Sequence, residues 1–232
     1  MAEATVLAVS GMTFESRIAA GPGVATLHGF RDRALETTLA EVLGRERVWD
    51  GVISIGVAGG LAPQLAPGTV IVAAGVQDGD VLLPCDTRWQ DALRGALPHA
   101  VSGLIAGVDA AVTTVPDKAT LHGLRGALAV DMESHIAARA AIDHGLPFAA
   151  LRVVVDPAER PVPPLAVAGM AADGSTDIRA ILLGLLKAPW ELGGLIRLGR
   201  DAAAAKAALT RARQLAGLAL LAPLSLRENG RG

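Results

Sequence analysis

Three acidic sites in this chain stand where the predicted strands end. Glu15 follows the first short apolar strand, and Asp156 ends the most apolar strand of the chain. Asp131 and Glu133 follow a strand that ends at Val130. Open α/β sheets bind their ligands beyond the carboxyl ends of the strands. Carboxylates that converge on one sheet edge repel one another unless a ligand uses them, so the pattern predicts a ligand site with acid–base chemistry.

Each of these acids also has a local explanation. Glu15 could favour a helix dipole from the first turn. Asp131 could cap a helix that has Glu133 in its first turn. Asp156 precedes Pro157 and could be a turn residue. Taken singly, the local explanations are favoured, whereas the three sites taken together favour a ligand.

The sequence lacks the motifs of several other chemistries. Its five histidines include no pair at the i, i+4 spacing of a zinc helix, and Cys85 is its only cysteine. It contains no G-x-S-x-G, G-x-G-x-x-G or Walker motif. The glycine-rich turn at residues 56–60 could hold an anion on its backbone amides or simply allow close packing. We therefore expect no metal and no cofactor.

Composition limits the class of protein. The 232 residues are 51% hydrophobic and 3% aromatic and carry a net charge of −2, which argues against nucleic-acid binding. The single cysteine and the absence of a basic leader at the start predict a cytoplasmic protein. Residues 51–77 carry no charge, but their six glycines and two prolines predict strand, turn and strand rather than a membrane span.

Apolar runs alternate with helical periodicity along the chain. Strands are predicted at residues 6–10, 52–57, 69–74, 101–108, 127–130 and 148–155. Helical segments are predicted at residues 13–19, 31–43, 87–97, 131–144, 178–186, 190–198 and 201–221, and a loop is predicted at 77–86. This alternation predicts one α/β domain over residues 1–232 with a largely parallel sheet.

Three stretches together resemble the nucleoside phosphorylase and nucleosidase superfamily. They are GVAGGL at residues 56–61, VDMES at 130–134 and the apolar strand at 148–156. Within it, the chain resembles the methylthioadenosine/adenosylhomocysteine nucleosidases and, more closely, the bacterial hopanoid-associated phosphorylases. The subgroup resemblance rests on SGMTFE at 10–15, DMESH at 131–135 and DPA at 156–158. It implies a homodimer and a three-layer α/β phosphorylase/hydrolase-like fold with a mostly parallel, mixed central sheet.

The resemblance also implies roles in cleaving a purine N-glycosidic bond. Met132 would pack under the ribose, and Glu133 would accept hydrogen bonds from its hydroxyls. Asp156 would protonate N7 of the departing purine, and Glu15 would activate the attacking water. An apolar setting, such as the strand before Asp156, raises the pKa of a general acid towards neutrality. The substrate-binding residues are completed by Gly59, Val112 and Asp131.

The chain departs from the family pattern around the base and the acceptor. Family serines are replaced by Val57 and Val155, and the aromatic residue that stacks on the purine falls near Ala111. Phosphorylases of this fold often place an arginine where this chain has Glu15. A carboxylate repels phosphate, so we expect water as the acceptor. Phosphate is the alternative co-substrate, and Arg17 is the residue that could reach it.

Residues 178–198 are rich in leucine and isoleucine around Trp190, with Lys187, Arg197 and Arg200 at the edges. One interpretation is a core-facing helical pair. The other is an apolar collar or interfacial hairpin that receives a lipid tail and contacts a membrane surface.

The second interpretation would suit adenosylhopane, from which the hopanoid-associated relatives are thought to release adenine. We expect this substrate. Methylthioadenosine or adenosylhomocysteine is the alternative, and a nucleoside-binding protein without activity is a third hypothesis.

Overall fold

The computed structural model describes residues 5–29, 32–45, 48–169 and 177–223, except for the side chain of residue 180. Eight strands form one mixed sheet. They are β1 (Val6–Ser10), β2 (Val24–His28), β3 (Gly51–Gly60), β4 (Val70–Asp78), β5 (Val81–Pro84), β6 (Val101–Gly107), β7 (Ala129–Asp131) and β8 (Phe148–Asp156).

Helices cover both faces of this sheet, because each face carries its own apolar cluster. They are α1 (Thr13–Ala19), α2 (Asp32–Leu43), α3 (Thr87–Ala96), α4 (Val115–Arg125), α5 (Ser134–Asp143), α6 (Pro164–Ala168), α7 (Ile178–Lys187) and α8 (Leu192–Ala216). Leucines of α2 and alanines of α5 pack in one cluster. Residues of α1, α3 and α8 pack in the other. The predicted layered α/β fold is confirmed.

The strands pair mostly in parallel, as predicted. β1 pairs in parallel with β2 and β3, β3 with β8, and β6 with β4 and β7. The pairs β3–β7, β4–β5 and β4–β8 are antiparallel. Consequently β3, β8, β4, β6 and β7 pair in a closed ring, and β1 extends it. This arrangement gathers the ends of β1, β3, β7 and β8 in one place.

The sequence analysis missed four elements. β2, α4 and α6 were not predicted, and the loop predicted at 77–86 is wrong, because β4 continues to Asp78 and pairs with β5. Gly79 has a φ of 58° in the two-residue turn between these strands, a conformation that glycine adopts without steric cost. The α4 helix begins after Thr114, whose hydroxyl accepts the N–H of Asp117, and ends at Gly126 with a φ of 61°.

Two predicted boundaries also need correction. The helix predicted from Asp131 begins at Ser134, since Asp131 completes β7. The separate segments predicted at 190–198 and 201–221 are mostly one helix, because α8 runs unbroken from Leu192 to Ala216. The predicted start of α2 at Arg31 lies outside the described residues.

The uncharged stretch at residues 51–77 forms β3, a turn and most of β4, as predicted. Among the described residues, no helix has the length and apolar character needed to cross a membrane.

Candidate active site

A cavity of about 400 Å³ opens where the ends of β1, β3, β7 and β8 meet. The fold brings together all of the residues assigned to catalysis or substrate binding, although they come from five separate parts of the chain. The lining includes Glu15, Gly59, Val112, Asp131, Met132, Glu133 and Asp156.

Glu15 lies in the first turn of α1 and is 2% exposed. Its Oε2 accepts the Met12 N–H at 2.8 Å, and its Oε1 accepts the Val57 N–H at 2.7 Å. Burial raises the pKa of Glu15, although the Arg152 guanidinium and these backbone donors lower it. A carboxylate whose pKa is shifted towards neutrality is suited to act as a general base.

Arg152 is a buried cation that sequence reasoning noticed only as an interruption of β8. Its Nε lies 2.6 Å from Asp131 Oδ2, and its Nη2 lies 3.6 Å from Glu133 Oε2. Nη2 also donates to the Ser54 hydroxyl at 2.5 Å. Burial lowers the pKa of Arg152, but the carboxylates of Asp131, Glu133 and Glu15 outweigh it and raise that pKa. The charged guanidinium therefore explains how three carboxylates can share one site.

One atom of Arg152, the buried Nη1, makes no hydrogen bond within the described part of the chain. A Cβ added to Gly56 would lie 2.6 Å from Nη1 and 2.6 Å from Glu15 Oε1, so both groups reach the space beside this glycine. Buried polar groups are normally hydrogen-bonded. Gly56 thus leaves room for the Arg152 guanidinium and the Glu15 carboxylate to approach β3.

Asp131 lines the cavity, yet both of its carboxylate oxygens contact protein groups. Oδ1 accepts the N–H of Ser134 at 2.8 Å and that of Glu133 at 3.2 Å. Oδ2 contacts Arg152 Nε and the Ser134 hydroxyl. The side chain therefore accepts N–H groups at the start of α5, but the N-cap position that the local explanation gave to Asp131 is occupied by Glu133.

Glu133 and Met132 follow β7 and face the same cavity. Glu133 is 8% exposed. A Cβ added to Gly11 would lie 2.5 Å from Glu133 Oε1, so this glycine makes room for the carboxylate beside the end of β1. Met132 is half-buried and supplies an apolar thioether surface next to it.

Asp156 ends β8 and is paired with a lysine that sequence reasoning missed. Lys118 Nζ lies 2.5 Å from Asp156 Oδ2, and the lysine side chain is fully buried. Burial raises the pKa of Asp156, and Lys118 lowers it. A Cβ added to Gly59 would lie 3.3 Å from Asp156 Oδ2. The lysine lies on the unpredicted helix α4, so no predicted element drew attention to it.

The two acids stand at different points along one strand. Glu15 lies against Gly56 and Asp156 against Gly59, both on β3. The cavity therefore presents two carboxyl groups of raised pKa at separate points of its lining.

A sequence model of the phosphorylase superfamily matches residues 10–187 of the chain. The chain belongs to the phosphorylase superfamily.

Solved structures with the same fold agree with this membership. The chain is 19% identical to 5′-methylthioadenosine/S-adenosylhomocysteine nucleosidase from Neisseria meningitidis, with 90% of this chain and 97% of that chain covered and a TM-score of 0.64. It is 20% identical to S-adenosylhomocysteine nucleosidase from Streptococcus pyogenes, with 68% of this chain and 86% of that chain covered and a TM-score of 0.60. It is 17% identical to futalosine hydrolase from Helicobacter pylori, with 65% of this chain and 88% of that chain covered and a TM-score of 0.56. These likenesses confirm the predicted phosphorylase/hydrolase-like fold.

In this phosphorylase-superfamily chain, the cavity wall facing the acids is apolar. It is built by α6, α7 and α8 through Ala166, Val167, Ile181, Leu195, Leu198 and Ala202. Leu186 and Trp190 do not line it and are 81% and 78% exposed. The apolar segment at 178–198 thus has two apolar faces, one towards the cavity and one towards the outside. The core-facing interpretation accounts for the packed inner side of this segment but not for its exposed side.

The departures from the family pattern are visible in the cavity. Ala111 lines it, and no aromatic side chain does so among the described residues. Arg17, the candidate phosphate ligand, is exposed and is not part of the lining. Within the described ranges, no group of three or more His, Cys, Asp or Glu side chains could hold a metal ion.

Proposed function

We propose that the protein cleaves the N-glycosidic bond of an adenosyl nucleoside with water as the acceptor. One observation carries this proposal: Glu15 and Asp156, two buried acids whose pKa values are raised, line the same cavity. The superfamily membership supports it, and so do the names of similar structures, which are nucleosidases of methylthioadenosine and adenosylhomocysteine.

The chemistry follows from the positions of the two acids. The oxygen of water bonds to the anomeric carbon, and Glu15 takes the proton that water loses. The bond from that carbon to the purine nitrogen breaks, its electron pair passes to the base, and Asp156 delivers a proton to N7. Glu133 orients the sugar hydroxyls, and its charge stabilises the oxocarbenium-like sugar in the transition state. The products are the free sugar and adenine.

Water is the proposed acceptor because the site is rich in negative charge. The carboxylates of Glu15, Asp131 and Glu133 surround the single guanidinium of Arg152, so a phosphate dianion would meet net repulsion. Product analysis with and without phosphate tests this choice. We expect free sugar in both, and formation of a sugar phosphate only in phosphate buffer would contradict it. Release of no adenine from any adenosyl nucleoside would favour the binding protein without activity.

We further propose that the substrate carries a hydrocarbon tail, and adenosylhopane is the proposed compound. The apolar wall from α6, α7 and α8 supports this choice, since it could cover a tail that leaves the sugar. Methylthioadenosine and adenosylhomocysteine remain the alternative, favoured by the names of the similar structures. We also propose a cytoplasmic homodimer, which light scattering of the purified protein would test.

Replacing Leu195 and Leu198 together with asparagine should separate these substrates. Loss of about 100 Å² of apolar contact corresponds to ~2.5 kcal/mol, or on the order of 50-fold in KM, for a long-tailed adenosyl nucleoside in detergent. Methylthioadenosine, which has a short tail, should lose little. Leu215→Asn, an exposed position on the same helix, serves as the control. Equal losses for both substrates with a lower Tm would show that these leucines only support the fold.

Replacing Glu133 with glutamine should weaken recognition of the sugar. A hydrogen bond to a charged group is worth roughly 1.5–3 kcal/mol, so kcat/KM should fall about 10- to 150-fold. The measurement compares adenosine-type substrates with their 2′-deoxy and 3′-deoxy analogues. On the deoxy analogue that lacks the hydroxyl bound by Glu133, the substitution should lower kcat/KM much less than on the parent substrate. If both deoxy analogues lose as much as the parent, Glu133 is not the sugar ligand.

A further inference from the structure

The outer side of residues 178–196 carries an unusual density of exposed apolar side chains. We call this set the docking face, and each member is at least 50% exposed. They make up half of the fourteen large apolar residues that are exposed in the described part of the chain. The docking face consists of Ile178, Leu182, Leu183, Leu186, Trp190, Leu192 and Ile196.

Packing against the described residues of the chain does not account for the docking face. The inner sides of the same helices already supply Ile181, Leu195 and Leu198 to the cavity wall. In α7, Leu165 of α6 approaches Gly184 so closely that a Cβ there would lie 2.3 Å from Leu165 Cδ2. The inner side is thus closely packed, while none of the residues that the structure describes covers the outer side. Contiguous exposed apolar surface of this kind marks an interaction site.

The charges around the docking face indicate its partner. Residues 177–200 hold four exposed basic side chains, Arg179, Lys187, Arg197 and Arg200, in a chain whose net charge is −2. The same stretch has only two acidic side chains, Asp177 and Glu191. Glu191 Oε2 accepts the Leu165 N–H at 3.1 Å, so it faces inwards. Leucine, isoleucine and tryptophan with a basic surround match the interface of an anionic lipid bilayer.

We propose that the docking face binds the surface of an anionic lipid bilayer and holds the cavity beside it. This inference rests on the proposed function, because a nucleoside with a hydrocarbon tail resides in the bilayer. An enzyme bound there would reach such a substrate directly. Helices α7 and α8 would then have one apolar side in the headgroup region and the other on the substrate. Binding to the bilayer itself does not depend on catalysis.

The test is flotation of the full chain with vesicles of phosphatidylcholine alone or mixed with phosphatidylglycerol. We expect binding to the mixed vesicles that weakens with added salt. The double variant Leu186→Glu, Trp190→Glu should bind at least about tenfold less. Leu124→Glu is the matched control, since Leu124 is 79% exposed outside the docking face. Activity on soluble methylthioadenosine should be unchanged in both variants.

Several outcomes would overturn the proposal. The first is that the unaltered chain does not bind the mixed vesicles. The second is that Leu124→Glu loses as much vesicle binding as the double variant does. The third is that light scattering shows an oligomer of the unaltered chain that the double variant dissociates. The last result would assign the docking face to a second copy of the chain. Vesicle binding without adenine release would contradict only the proposed function, whereas adenine release without vesicle binding would contradict only the docking.

A separate observation concerns the partner of Asp156. Lys118 Nζ donates to Asp156 Oδ2 at 2.5 Å, to the Pro157 carbonyl at 3.0 Å and to the Arg160 carbonyl at 2.9 Å. An ammonium group has three N–H donors, and these contacts use all of them. No donor is left for a substrate, so Lys118 can act only through its partners.

We infer that Lys118 is a positioning residue that holds Asp156 for proton delivery and stabilises its ionised form afterwards. The inference rests on the proposed function. Replacing Lys118 with methionine should lower kcat at least about tenfold with a smaller change in KM. It should also move the basic limb of the pH–rate profile to higher pH. The reason is that Lys118 lowers the pKa of Asp156, so that its removal lets this pKa rise. Lys187→Met, at an exposed position, is the control.

A purely structural role for Lys118 would lower the Tm without moving that limb, and this result would overturn the inference. If the methionine variant does not fold, Lys118→Arg replaces it in the test, because arginine keeps the charge. The basic limb of its pH–rate profile should stay near that of the unaltered chain, whereas its kcat should fall. An arginine variant with unchanged kcat would contradict positioning. Absence of activity in the unaltered chain would contradict the proposed function instead.

Discussion

Replacing Asp156 with asparagine is expected to lower the turnover of an adenosyl nucleoside by about 100-fold or more. The asparagine keeps the shape of the side chain and can still accept a hydrogen bond from Lys118, but it has no proton to give to the purine. Adenine release and the Tm are the two measurements. Because burial raises the pKa of Asp156 despite Lys118, activity of the unaltered chain should decline as the pH rises through that pKa.

The control for this variant is Asp109→Asn, because the Asp109 side chain is 81% exposed and does not line the cavity. A second substrate sharpens the test. A p-nitrophenyl riboside has a leaving group that needs no proton, so the Asp156 variant should lose much less activity on it. Normal turnover of the adenosyl substrate by a folded Asp156→Asn protein would mean that Asp156 is only a turn residue.

Replacing Glu15 with glutamine should also lower kcat on the order of 100-fold or more, because the amide cannot take a proton from water. The pH profile gives an independent check. Glu15 must be ionised to act as a base, and burial raises its pKa. Activity of the unaltered chain should therefore rise as the pH increases through the raised pKa, which places the acid limb of the profile above the ordinary range of a glutamate.

Stability separates this role from a structural one. Both Glu15 oxygens accept backbone N–H groups, and glutamine offers only one oxygen, so the variant should lose about 1–3 kcal/mol of folding free energy. A raised carboxyl pKa means that the folded chain holds the proton more tightly than the unfolded chain. Stability therefore falls as the pH rises from 4.5 through the raised pKa, and the variant should lack this fall.

The matched control for Glu15 is Glu36→Gln, at a half-exposed position on α2. It should change neither turnover nor the acid limb. If Glu15→Gln lowers the Tm but leaves turnover intact, Glu15 serves only to tie α1 to β3, and the base must be sought elsewhere.

Much of the cavity lining could be predicted because its signals are local. An apolar run followed by an acid marks a strand end, and parallel strand ends meet at one edge of a sheet. Glu15, Glu133 and Asp156 were found in this way, and all of them line one cavity. Their assigned roles stay predictions until the variants are measured.

The elements that were missed carried other signals. β2 is half-buried throughout, so it lacks the fully apolar run of a central strand. The turn at Gly79 and the caps at Thr114 and Gly126 mark β5 and α4 through single residues rather than through periodicity. Because α4 was not predicted, the buried lysine that it carries was not considered for the site.

The sequence by itself determined the layered α/β fold and the set of acids at the strand ends, since periodicity and strand-end chemistry are properties of neighbouring residues. The tertiary structure decided which charges meet. It pairs Arg152 with Asp131 at the end of β7 and with Glu133 just after it, and it pairs Lys118 with Asp156. It also decided which side of α7 faces the cavity. The physical reason is that the charge and partners of a buried group depend on groups that other elements bring to it, and these lie far away along the chain.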